Sequence, residues 1–146
     1  MQANEIMTPT PATCTPEATA REAAQLMERH DCGALPVVES GSNRLVGVVT
    51  DRDLALRCLA QGKPADTAVR ELMTSSPHVV RPEDDLDRVE ELMAREQIRR
   101  VPVVDSQGRP VGVIAQADLA RALHAVGRKD FGKVLERISE PTGAQR

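Results

Sequence analysis

The chain has 146 residues, a formal net charge of −3 and one aromatic side chain, Phe131. This length suits one compact domain with an aliphatic core, and the acidic balance and the lack of aromatic rings exclude the common modes of nucleic-acid binding. No apolar run approaches the ~20 residues that span a bilayer, and residues 2–5 are polar where a signal peptide would be basic and then apolar. We therefore expect a cytoplasmic protein with neither a membrane nor a nucleic-acid partner.

One pattern occurs twice along the chain. It opens at Met7-Thr8 and again at Met73-Thr74 with an offset of 66 residues, and a turn that is one residue shorter then reduces the offset to 65. The matched pairs include Pro36-Val37-Val38 with Pro102-Val103-Val104, and Asp53-Leu54 with Asp118-Leu119. This period is too long for the common solenoids, and it predicts two small α/β units that close one core together, at residues 4–62 and 70–125.

Each copy is predicted to fold as β-α-β-β-α. In the first copy, a short extended piece at residues 13–14 precedes a helix that begins at Thr15-Pro16-Glu17, with threonine as the N-cap and proline at the first helical position. The other elements are predicted strands at residues 35–38 and 45–49, and a helix at residues 53–59. Pro36 is expected at the start of its strand, as is Pro102 in the second copy, because proline cannot donate to a β-ladder.

The second copy repeats this order, and one further element follows it. Predicted strands lie at residues 78–80, 101–104 and 111–114, and helices at residues 86–93 and 118–123. Residues 129–138 form an extra helix outside the repeat, with an apolar stripe of Phe131, Val134, Leu135 and Ile138. This stripe has to be buried either on its own domain or on a second subunit. Of these two arrangements, we expect the contact with a second subunit.

The three cysteines and three histidines show no metal-binding spacing. Cys14 and Cys32 align with Val80 and Ile98 of the other copy, so we interpret the thiols as small buried apolar groups. A redox or metal-responsive role for Cys14, Cys32 or Cys58 remains an alternative, and the prediction is that there is no metal site.

Several motifs that recur in order in both halves give the chain a family resemblance. They are Glu5-Ile6-Met7-Thr8 and Glu71-Leu72-Met73-Thr74, the Pro-Val-Val cores with the residues before them, and the segments at residues 47–54 and 112–119. Across residues 4–125 the sequence resembles tandem cystathionine-β-synthase (CBS) domains. It is similar to a stand-alone subgroup that includes the mycobacterial hypoxic response protein, in which the pair is attached to no enzyme or channel.

The resemblance implies a Bateman module. In such a module two β-α-β-β-α repeats pack about a pseudo-twofold axis in an α/β (α+β) fold, and two clefts between the repeats can take adenosine nucleotides. The family motif Thr/Ser-x-x-Asp is complete at Thr50-Asp51-Arg52-Asp53, where aspartate would bind the ribose hydroxyls and threonine would face the phosphate. Arg52 would add a charge-assisted donor. The same spacing also fits an ordinary capping box, and the two roles can coexist.

The second copy departs from the motif, because Ala115 replaces the hydroxyl residue while Asp118 remains. A capping box with alanine at the cap does not explain why Asp118 is retained. Gln116 is a candidate phosphate donor, and Arg99 and Arg100 either reach phosphates or are solvated or salt-bridged. By the resemblance, Ile98 and Pro102 would face the ligand held by Asp53. Cys32, Gly33 and Pro36 would face the ligand held by Asp118, which is expected to be the weaker site.

The sequence offers no set of residues for catalysis, so we expect a non-enzymatic regulatory module. It would sense an adenosine-type ligand such as AMP, ADP, ATP or S-adenosylmethionine, carry no cofactor, form a homodimer and signal to an effector protein. The alternative is a ligand-free structural or stress-associated homodimer with degenerate clefts.

Overall fold

The computed structural model describes residues 1–140 as a set of short strands and helices. The helices are α1 (Ala3–Ile6), α2 (Ala20–His30), α3 (Asp51–Asp53) with a π-helical continuation (Leu54–Leu59), a 3-10 turn (Val69–Glu71), α4 (Leu86–Glu96), α5 (Gln116–Ala125) and α6 (Phe131–Ser139). The strands are β1 (Thr8–Pro9), β2 (Ala34–Val38), β3 (Leu45–Thr50), β4 (Thr74–Ser75), β5 (Arg100–Val104) and β6 (Pro110–Ala115). No helix within residues 1–140 is long and apolar enough to cross a membrane.

The chain forms two compact units, and each takes its opening segment from the other repeat. The first-repeat unit comprises Pro11–Pro77 and Gln107–Pro110, and its three-stranded sheet has the order β2-β3-β4. Within the described residues, the second-repeat unit comprises Met1–Thr10, His78–Ser106 and residues 111–140, and its sheet has the order β1-β6-β5. Both sheets are antiparallel, and each unit has its own apolar core. The mixed helix and sheet content confirms the predicted fold class.

The exchange of opening segments explains why a methionine begins each copy. A Cβ added to Gly112 on β6 would lie 2.2 Å from Met7 Sδ, and one added to Gly47 on β3 would lie 2.7 Å from Met73 Sδ. Each central strand therefore lacks a side chain at the point where the methionine of the other copy packs. Within each unit the methionine and the glycine form one contact, although they lie far apart in the sequence.

The predicted start of α2 at Thr15 is wrong. The helix begins at Ala20, with Thr19 as the N-cap: the Glu22 N–H donates to Thr19 Oγ1, and the Thr19 N–H donates to the Glu22 carboxylate. This reciprocal capping box satisfies two backbone donors, which Thr15 followed by Pro16 and Glu17 cannot do. The N–H of Ala18 instead donates to the Thr15 carbonyl in a turn.

The prolines lie in the middle of their strands and not at the starts, so that prediction is also wrong. Pro36 is the third residue of β2, opposite Val48 of β3, and its carbonyl accepts the N–H of Cys14 on the other side of the strand. β2 is an edge strand, and among residues 1–140 its outer side forms a single bridge, through Cys14. Because a strand residue directs its N–H and C=O to the same side, the missing proline donor falls on this sparsely paired edge. Pro102 accepts from Val80 in the same way.

The sequence of the helix after β3 has a one-residue insertion relative to its counterpart after β6. Asp53-Leu54-Ala55 matches the three residues from Asp118, but Leu56 is then inserted before Arg57, the counterpart of Arg121. The π-helical segment takes up the insertion, and the Ala60 N–H bonds to the Ala55 carbonyl five residues back. The predicted helix is present, but its geometry differs from that of α5.

The expected subunit contact of the C-terminal helix is wrong for two of the four residues of its apolar stripe. Val134 and Ile138 of α6 are 2% and 0% exposed, and they belong to the core of the second-repeat unit, where α6 packs on α4 and α5. Phe131 is half-buried against this core and meets His124 edge to face, with ring centroids 6.0 Å apart. Arg128 pairs with both Glu90 and Asp130 just before α6 begins. The helix therefore stabilises its own subunit.

Candidate functional site

The complete motif of the first copy forms a capping box. Thr50 is the last residue of β3, its Oγ1 accepts the Asp53 N–H at 3.1 Å, and its own N–H donates to Asp53 Oδ2 at 2.9 Å. The structure thus shows the capping role that the spacing allowed. The bonds also fix the orientation of the carboxylate, which is the group expected to bind ribose.

Asp53 is a buried acid with a nearby cation. Its residue surface is 7% exposed, and Arg57 Nε lies 3.5 Å from Asp53 Oδ1. Arg57 Nη1 also donates to the carbonyls of Leu72 and Met73, at 3.3 and 3.4 Å. A buried carboxylate needs such partners because desolvation disfavours its charge. Sequence reasoning missed Arg57, although its repetition as Arg121 after the second aspartate was a usable signal.

The other residues predicted in this unit have different positions. Arg52 is exposed on the first turn, while Cys32 and Gly33 are half-buried just before β2. The Gly33 carbonyl accepts the Asp51 N–H at 2.9 Å, so this glycine lies beside the Thr50–Asp53 turn. Pro36 is buried within β2. That Cys32, Gly33 and Pro36 face a ligand held by Asp118 remains a prediction.

In the second copy, Asp118 still makes half of a capping box. Its Oδ2 accepts the Ala115 N–H at 2.8 Å, and its Oδ1 accepts from Arg121 Nη2 at 2.5 Å. The residue is 9% exposed. Asp118 therefore does have a capping role, and the interpretation that a capping box with alanine at the cap does not explain its presence is wrong in part. Because alanine has no side-chain oxygen, the Asp118 N–H receives no cap from position 115, and this copy also lacks a hydroxyl for a phosphate.

The side chain of Gln116 is occupied by the C-terminal helix. Its Nε2 donates to Ser139 Oγ at 2.8 Å and to the Leu135 carbonyl at 3.4 Å. The amide proposed as a phosphate donor instead holds α6 against the first turn of α5. This contact could not be predicted from the repeat, because α6 has no counterpart in it.

Arg99 and Arg100 lie at the start of β5, close to the first turn of α5. The Arg99 carbonyl accepts the Gln116 N–H at 2.9 Å, and Ile98 packs against the core. Within residues 1–140, no carboxylate forms a salt bridge with either guanidinium, so the salt-bridged alternative is not what the structure shows. Pro102, in the middle of β5, is buried.

The three cysteines are free thiols, and Cys14 and Cys58 are buried. Burial, and then the charge of Glu22, raise the pKa of the Cys14 thiol from 9.0 to about 11, so this thiol is neutral at physiological pH. Among the described residues, no group of three or more histidine, cysteine, aspartate or glutamate side chains is arranged to hold a metal ion.

Comparison with known proteins places this geometry in a family. The CBS domain model matches residues 3–59 and 69–125. Hypoxic response protein 1 of Mycobacterium tuberculosis is 41% identical over 118 residues, which cover 78% of this chain and 81% of that protein. The crystal structure of CBSX2 in complex with AMP is 30% identical with a TM-score of 0.72, and the match covers 87% of this chain and 98% of that one.

A further solved structure contains other adenosine compounds. The CBS domain pair of protein MJ0100, in complex with 5'-methylthioadenosine and S-adenosyl-L-methionine, is 29% identical with a TM-score of 0.79, and the match covers 86% of this chain and 98% of that one. Two matched domains and these relatives confirm the resemblance read from the motifs. The chain belongs to the CBS domain family and contains two CBS domains.

Proposed function

We propose that this protein is a non-enzymatic regulatory module that binds an adenosine-type nucleotide at Thr50 and Asp53 and passes the change to a partner protein. The observation that carries the proposal is the buried, oriented carboxylate of Asp53 at the first turn of a helix. Solved relatives hold AMP in one case, and 5'-methylthioadenosine and S-adenosyl-L-methionine in another. Both relatives support an adenosine-type ligand, but they do not identify which adenosine compound this protein binds.

The hydrogen-bonding capacity of Asp53 fits a ribose. An ionised carboxylate offers about four acceptor positions. The Thr50 N–H takes one, and the Arg57 guanidinium lies against the other oxygen. About two positions remain, which is the number that the vicinal hydroxyls of a ribose require. The N-terminal end of the helix and the exposed cation of Arg52 favour a phosphate nearby.

We infer that the Asp118 site is weaker. Ala115 provides no hydroxyl, and Gln116 is bonded to Ser139 and Leu135 instead of being available to a ligand. Arg99 and Arg100 remain candidate phosphate donors, and Ile98 and Pro102 candidate apolar contacts for the nucleotide held by Asp53. On this proposal the protein works as a cytoplasmic homodimer, without catalysis or a cofactor, and signals to an effector.

The second candidate function is a ligand-free structural or stress-associated homodimer. The capping bonds favour it, because both aspartates satisfy a backbone N–H of their own unit and so have a structural reason to be present. The retained, buried Asp53 together with a complete Thr-x-x-Asp motif makes us prefer the sensor.

Mass spectrometry of small molecules released from freshly purified protein, followed by calorimetric titration with AMP, ADP, ATP and S-adenosylmethionine, separates the two functions. The sensor predicts a saturable heat with at least one of these compounds. Titrations without heat at several temperatures, together with a released fraction free of adenosine compounds, would favour the structural homodimer.

A further inference from the structure

Arg57 joins the buried carboxylate of Asp53 to the segment that opens the second repeat. Its Nε lies 3.5 Å from Asp53 Oδ1, and its Nη1 donates to the main-chain carbonyls of Leu72 and Met73. Met73 is itself fixed, because its side chain packs over Gly47. The guanidinium is therefore held from both sides and 40% of its side chain is exposed, which leaves it near the solvent.

The corresponding arginine of the second copy is not held in this way. Arg121 contacts Asp118 Oδ1, but 72% of its side chain is exposed, and no main-chain carbonyl among residues 1–140 accepts a bond from it. The difference follows from the inserted Leu56, because Arg57 is four residues after its aspartate, in a π-helical turn, whereas Arg121 is three residues after its own in a regular helix. π-Helical turns are rare and frequently occur at functional sites.

We propose that Arg57 is a positioning residue that sets the ribose selectivity of the Asp53 site. This inference rests on the proposed function. With Thr50 bonded to one carboxylate oxygen and Arg57 against the other, rotation of the carboxylate plane is restricted. Two hydroxyls of a ribose can then be accepted together. Without Arg57 the carboxylate still accepts one hydroxyl, but the benefit of the second is reduced.

Calorimetric titration with AMP and 2'-deoxyAMP tests this role. The wild-type protein is expected to bind AMP about tenfold more tightly than 2'-deoxyAMP, the value of one charge-assisted hydrogen bond. Arg57→Met should lower this ratio by roughly threefold or more, and Arg57→Lys, which keeps the charge but not the planar fork, should restore part of it. Loss of the positive charge alone would weaken the binding of both nucleotides equally, since both carry the same phosphate. It would therefore leave the ratio of the two affinities unchanged.

Arg121→Met is the matched control, since it removes the same group beside the other aspartate, and we expect it to leave the ratio within about twofold. Thermal unfolding verifies that each variant is folded. The inference is overturned by a wild-type protein without selectivity, by an unchanged ratio in Arg57→Met, or by an equal loss of selectivity in Arg121→Met. In each of these cases, binding of AMP still supports the proposed function. A wild-type protein that binds neither nucleotide overturns the inference, and one that also binds no ADP, ATP or S-adenosylmethionine overturns the proposed function as well.

Discussion

Replacing Ile138 with alanine tests whether α6 belongs to the core of its own subunit. Ile138 is 0% exposed within a cluster that includes residues of α4 and α5. Truncating a buried isoleucine removes its transfer free energy and leaves a cavity, which together lower the free energy of unfolding by about 2–5 kcal/mol. For a domain of this size, that corresponds to a fall in Tm of roughly 4–20 °C.

The assay is urea and thermal unfolding of the full chain followed by circular dichroism, at two protein concentrations. Glu136→Ala is the matched control, because Glu136 is exposed on the same helix and the change should stay within about 0.5 kcal/mol. Two results would contradict this assignment of α6 to its own subunit. One is an Ile138→Ala protein as stable as the control, and the other is a loss of stability that appears only on dilution, as expected if α6 packed on a second subunit.

Two further predictions concern packing and a buried thiol. Gly47→Ala should lower the free energy of unfolding in a urea titration by about 1–3 kcal/mol, because the new Cβ would lie 2.7 Å from Met73 Sδ and 2.9 Å from the Thr74 carbonyl oxygen. Gly132→Ala in α6, where the space around the new Cβ is open, should raise the free energy of unfolding by up to about 1 kcal/mol in the same titration. The folded-state pKa of Cys14, about 11, lies above its ordinary value of 9.0, so the unfolded chain loses this proton first, and stability should fall as pH rises from about 9 to 11. Cys14→Val, measured by unfolding at several pH values, should remove that part of the decline, and an identical decline in the variant would contradict the assignment.

The repeat predicted most of the elements, because matched residues in two copies report the same buried positions twice. The 35–38 and 45–49 strands and the Asp53 and Asp118 helix starts lie within one or two residues of the observed bounds. The start of α2 was misplaced because Thr15-Pro16-Glu17 and Thr19 with Glu22 are both helix-start patterns, and only bonding decides between them.

The candidate site was harder to predict, because its contacts depend on chain segments that no repeat relates. The aspartates were identified from their motif, whereas Arg57 acts through carbonyls of the segment that opens the other copy, and Gln116 is bonded to a helix outside the repeat. The packing of Met7 and Met73 on strands of the other copy could not be predicted either, since the order of residues does not show which strand each methionine contacts.

Titration of AMP into the wild-type protein, Asp53→Ala and Asp118→Ala by isothermal calorimetry measures directly whether Asp53 holds the nucleotide. The wild type is expected to show saturable binding. Loss of the carboxylate that accepts the ribose hydroxyls should weaken it by roughly tenfold to a hundredfold in Asp53→Ala, with a much smaller effect in Asp118→Ala. Equal affinities in the two variants, or a folded wild-type protein that binds no AMP or other adenosine compound, would contradict nucleotide binding at Asp53.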